Sequence, residues 1–130
     1  MTRRSVSTSG APRTGLPYSQ AIQYGDLVYV SGQVAIDPAT GQAVQGDVRV
    51  QTRRVLDNIS SILQAAGTSL EFSVEALCFL AEAADFAAFN EVYASYFPVD
   101  PPARTTVQAA LPLPEFKVEI RVIAGLPSGG

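Results

Sequence analysis

Arg104, Thr106 and Gln108 alternate along ARTTVQAAL, so a strand there presents all three on one face, with Thr105, Val107 and Ala109 on the other. An arginine at a strand's start, just after the stiff segment DPPA, suits a carboxylate clamp. Its planar fork donates two parallel hydrogen bonds and does not titrate. Such a residue serves equally well in a surface or interface ion pair. Tyr18 and Ser31 stand near Gly15 and Gly32 in GLPYSQ and YVSGQ, where glycine either lets a ligand approach the backbone or merely shapes a turn or bulge. Asn90 is polar among Phe89, Val92 and Tyr93, placed either to orient a neighbour or to face solvent. A second arginine, Arg121, interrupts KVEIRVIAG two residues from Glu119 on the same strand face.

Absences narrow the chemistry further. The chain has no histidine and a single cysteine. That excludes Ser-His-Asp and Cys-His nucleophilic pairs, histidine-based zinc or iron sites and intrachain disulfides, and no metal site is expected. Cys78 lies in the apolar run EALCFLA and reads as a small buried thiol. Catalysis must then use carboxylates, arginine, hydroxyls, backbone groups and water.

The elements that position these residues follow from spacing. Residues 3–8 read as a short edge strand, and YSQAIQYG and DLVYVSGQV as two strands about a hairpin turn at Gly25-Asp26. From Asp47, a plausible N-cap, Val48, Thr52, Val55, Ile59, Ile62, Leu63 and Ala66 recur at helical steps until Gly67. SVEALCFLAE is continuous and apolar, as expected of a strand covered on both faces. ADFAAFNEVYASYF returns to helical spacing and ends at Pro98, Pro101 and Pro102. ARTTVQAAL and KVEIRVIA close the chain as strands. The order β-β-β-α-β-α-β-β predicts an α+β fold: a six-stranded mixed sheet with both helices packed on one face. Val30, Ile36 and other apolar residues are expected on the opposite face, which another copy of the chain covers in a closed symmetric ring.

A length of 130 residues, 47% hydrophobic and 16% charged, fits one domain over 1–130, folded from about 3 to 126 with 127–130 as a tail. A net charge of -3 argues against nonspecific nucleic-acid binding. No apolar run reaches the roughly 18–20 residues of a membrane span. MTRRSVSTSG lacks the apolar centre of a secretory signal. The expectation is a cytoplasmic protein.

Taken together, GLPYSQAI, LVYVSGQVAIDPATGQ, VLDNISSILQAAG, DFAAFNEVYASYFP, PPARTTVQ and VEIRVIAG follow one another in the order and spacing of a known family. Across about residues 3–126 the chain resembles the Rid (YjgF) family of reactive-intermediate imine/enamine deaminases. The resemblance implies a chorismate-mutase-like fold, a homotrimer and a ligand cleft at each subunit interface. It implies hydrolysis of 2-imino or enamine acids to 2-oxo acids and ammonia, with no cofactor. By this resemblance Arg104 anchors the substrate carboxylate, Tyr18, Ser31 and Asn90 line the cleft, and backbone groups near Gly32 and Thr106 hold substrate and water.

Three departures stand out. GLPYSQ is one residue longer than the family's GPYSQ, and Thr106 occupies a place where many deaminases carry cysteine. The family motif VEIEAIA reads VEIRVIA here, so Arg121 replaces the glutamate that the resemblance assigns to the attacking water. Arg121 then either joins Arg104 in favouring a doubly anionic ligand or pairs with Glu119. Two other functions remain compatible: a noncatalytic trimer binding a carboxylated ligand, and an imine-handling or cyclising helper in a specialised pathway.

Overall fold

The computed structural model describes residues 2–127. Its elements are β1 (Arg3–Val6), β2 (Ala21–Tyr24), β3 (Leu27–Val30), α1 (Val48–Ala65), β4 (Ser73–Leu80), α2 (Phe86–Tyr96), β5 (Ala103–Gln108) and β6 (Val118–Gly125). The order is the expected one. The strands form one sheet in the order β1-β2-β3-β6-β4-β5, with β4 and β5 parallel and the other pairs antiparallel. The expected tail lies outside the described residues except for Pro127.

Local chemistry sets the boundaries. The Asp47 carboxylate accepts a hydrogen bond from the Val50 N–H at 3.1 Å, satisfying one of α1's free donors. Past the other end of α1, Gly67 takes φ 89°, where a side chain would be strained. Gly25 takes φ 62° in the two-residue turn joining β2 to β3.

The apolar stripe of α1, with Val55, Leu56, Ile59, Ile62 and Leu63 wholly buried, lies on the sheet face formed by Val28, Ala76, Cys78, Val118, Ile120 and Val122. Each large aliphatic side chain so buried contributes about 1.5–3 kcal/mol. Phe89 and Tyr93 bring α2 into the same core. The two helices thus share one face.

The other face departs from expectation in its membership. Val30 is buried on the helix side, and Ile36 stands in the loop after β3. Register decides this, because Val30 pairs with the equally buried Ala21. Tyr24, Tyr29 and Val107, all exposed, occupy the open face with the half-buried Leu77, Phe79 and Ile123. Strand β4 is accordingly covered on one face only: Ala76, Cys78 and Leu80 are buried, and their neighbours are not. No helix among the described residues is long and apolar enough to cross a membrane.

Candidate functional site

Beyond β3 the chain does not leave the sheet at once. Gln33 exchanges both backbone hydrogen bonds with Ile120, at 2.9 and 3.1 Å, and the Glu119 side chain reaches diagonally over the backbone of Gly32. A Cβ at Gly32 would overlap the Glu119 Oε2 and stand 3.1 Å from its carboxyl carbon. Glycine here serves a close approach of backbone and carboxylate.

Glu119 opens into a cavity of about 410 Å³ that it shares with Tyr18, Ser31 and Gly32, and it is the one charged residue among those lining it. Burial pushes its pKa above the ordinary glutamate value. Among the described residues it has no ion-pair partner. The Ser31 hydroxyl donates to the Ser19 carbonyl at 2.6 Å, which leaves its lone pairs free to accept from a ligand. The Tyr18 hydroxyl accepts from Thr14 at 3.1 Å.

Buried amides hold the cavity's walls. Gln20 donates to the carbonyls of Thr8, Ala11 and Pro12 and accepts from the Thr8 N–H, fixing the loop that leads to Tyr18. From α1, Gln51 donates to the Glu115 carbonyl and accepts from the Lys117 N–H, bracketing Phe116. Asn58 donates to the Ile36 carbonyl at 2.9 Å. Polar residues in the middle of a core helix are therefore spent on loop backbone that would otherwise lack partners.

A second cluster gathers around Arg104 at the start of β5. Its guanidinium lies over Tyr93, Phe89 and Phe86, 4.8, 5.4 and 5.7 Å from the ring centroids, and Nη1 donates to the Asn90 Oδ1 at 2.8 Å. Face and edge contacts together fix the plane of the fork. Among the described residues, the hydroxyls of Tyr93 and Thr106 are buried with no hydrogen-bond partner. Burial raises the Tyr93 phenol to about 12 and the Cys78 thiol to about 11, the latter against the opposing pull of Arg104. Neither titrates near neutrality, so the thiol is no nucleophile there.

The clusters do not meet within one chain. Strand β4 separates β5 from β6, and alternation sends Arg104 to the helix face and Glu119 to the open face.

A family model described as Endoribonuclease L-PSP matches residues 8–126. The chain belongs to the Rid family. A RutC family protein of Sulfurisphaera tokodaii is 50% identical over 119 residues, covering 92% of this chain and 95% of the relative. The 2-iminobutanoate/2-iminopropanoate deaminase of Capra hircus is 43% identical over 124 residues, covering 95% and 90%. Among solved structures, RidA from an Antarctic Psychrobacter bacterium matches with a TM-score of 0.89 at 38% identity, covering 95% of this chain and 99% of that one.

Of the site residues that the Rid resemblance nominates, the structure joins Arg104 with Asn90 and sets Thr106 one alternation further along β5. It separately joins Tyr18, Ser31 and Gly32. Arg121 belongs to neither group. It pairs with Glu75 at 2.9 Å, its diagonal neighbour on β4, and not with Glu119. The carboxylate in the cavity is Glu119, which the sequence left as a candidate partner for Arg121. The available signal was an acid in the last strand together with a glycine in SGQ, whose missing side chain leaves room for a neighbouring group.

Proposed function

We propose that the chain is a cofactor-free hydrolase of 2-imino and enamine acids, acting in clefts between the subunits of a homotrimer. One observation carries this reading. A fixed guanidinium and a half-buried, raised-pKa carboxylate sit on opposite faces of the same sheet, which supports a site that a second copy completes. The exposed tyrosines and apolar residues of the open face supply the surface for that contact. The names of relatives such as the Capra hircus deaminase support the choice of reaction.

In this reading Arg104 of one copy holds the substrate carboxylate, and Glu119 of the next takes a proton from water as the water's oxygen adds to the iminium carbon. The product is a neutral-amine carbinolamine. Protonated Glu119 then delivers its proton to the amine nitrogen, the C–N bond breaks, and the hydroxyl proton passes by way of the carboxylate to the departing ammonia. A 2-oxo acid and ammonium remain. A carboxylate with a pKa raised toward neutrality both accepts and returns a proton readily, contributing about 10²- to 10⁴-fold.

The test uses subunit mixing. Arg104→Ala and Glu119→Gln are each expected to remove most of the acceleration of imine decay. Co-refolded in equal amounts, they should regain about a quarter of wild-type activity, because one interface in four then carries both intact residues. No recovery, with trimers confirmed by light scattering, would sink the shared cleft.

A further inference from the structure

The Glu119 cavity is mostly apolar. Leu16, Val34, Ile36, Pro112, Leu113 and Phe116 line it beside the polar group of Tyr18, Ser31 and Glu119. A three-carbon imino acid displaces the volume of three to four waters, roughly 100 Å³. The cavity, at about 410 Å³, is several times larger. Its walls are fixed at Ile36 by Asn58 and around Phe116 by Gln51, both amides being almost fully buried. The apolar space is therefore not free to collapse around a small ligand.

We infer that this cavity receives the substrate's side chain and selects imino acids with a branched aliphatic or larger apolar side chain over the two- and three-carbon homologues and over acidic ones. The inference rests on the proposed cleft, in which Arg104 holds the carboxylate and Glu119 faces the reacting carbon. Leu16 belongs to the lengthened GLPYSQ segment and, with Leu113, stands exposed at the cavity's mouth in the single chain. Two solvent-facing leucines have no work in the core, and both turn apolar surface to the same opening. An acidic side chain would bring a second negative charge toward Glu119, with no cation among the lining residues to offset it. Arg121, tied to Glu75, supplies none.

Each buried methylene favours the larger substrate by about four-fold. Imines generated in situ from alanine and from leucine by an amino-acid oxidase, with catalase present, compare the two directly. The leucine-derived imine is expected to show a kcat/KM on the order of ten- to fifty-fold higher. Calorimetry with the stable product acids is the second arm: 4-methyl-2-oxopentanoate should bind more tightly than pyruvate by a similar factor, and 2-oxoglutarate more weakly than either. The double variant Leu16→Ala/Leu113→Ala, which leaves the core untouched, should cut both ratios several-fold. Equal rates and equal affinities would overturn the inference, as would ratios unmoved by the double variant. If neither imine decays faster with the protein, the hydrolase reading falls while the binding ratios still decide this one. Product acids that bind equally or not at all would then end it.

Discussion

The two halves of the candidate site are built on opposite plans. Around Arg104 the protein is solid: three aromatic rings lie against the guanidinium and Asn90 takes one edge, so the fork is oriented before a ligand arrives. Around Glu119 there is space, a bare glycine backbone on one side and a cavity on the other. The contrast separates two tasks. A group that binds an anion gains from a fixed geometry and a permanent charge. A group that exchanges protons loses by permanent charge, and an ion pair would hold its carboxylate ionised and well below neutrality. Glu119 is desolvated without being paired, as proton exchange requires.

The largest effect is expected from breaking the open half. Glu119→Gln keeps the shape and removes the proton acceptor, so decay of an in situ imine should slow by about 10²- to 10⁴-fold. Burial raises the Glu119 pKa, so the wild-type rate should fall on acidification with a midpoint above the ordinary glutamate value of 4.5. The same shift has a sign for stability. The folded state binds this proton more tightly than the unfolded one, so its contribution is greatest at low pH. That contribution is lost as pH rises from the unfolded pKa through the folded one. Denaturant midpoints measured across that window should decline more steeply for wild type than for Glu119→Gln.

The solid half should fail differently. Arg104→Ala removes a charge-assisted contact of about 2–5 kcal/mol and leaves Asn90 without its donor. Arg104→Lys keeps the charge but not the fork, and should rescue only part of the loss. A full rescue by lysine would mean that charge alone, not orientation, matters at this half. Behind the open half, Asn58→Ala strands the Ile36 carbonyl and should cost about 1–3 kcal/mol in urea unfolding, with KM rising more than kcat falls. The smallest change is expected from Arg121→Gln, whose pair with Glu75 is partly exposed and worth at most about 1 kcal/mol. Turnover lost in that variant would return Arg121 to the cleft and erase the division between the halves.

Much of the architecture was legible because periodicity and end signals agreed. Asp47 and Gly67 bracket a helix whose apolar steps are unambiguous, and the alternation in β6 correctly assigns each residue to a face. Alternation does not say what lies opposite on that face. Glu119 and Arg121 read as equivalent because they share a face, yet one meets Gly32 and the other Glu75, 46 residues away in sequence. That distinction depends on strand order, and β6 pairing with β4 on one side and β3 on the other is not written in either strand's own pattern. Val30 failed for a related reason: its face is set by register with Ala21. The separation of Arg104 from Glu119 likewise became visible only once β4 was seen between them.

Strand order also bears on when the protein can fold. Strand β6 follows every other described strand in sequence, yet among the described residues it alone hydrogen-bonds to both halves of the sheet, β1-β2-β3 on one side and β4-β5 on the other. A nascent chain emerging from a ribosome therefore carries two half-sheets with no strand between them until β6 emerges. Glu119 rides on that closing strand, so the act that completes the sheet also installs the proton-exchanging group. A chain truncated before β6 would be both unjoined and without its acid.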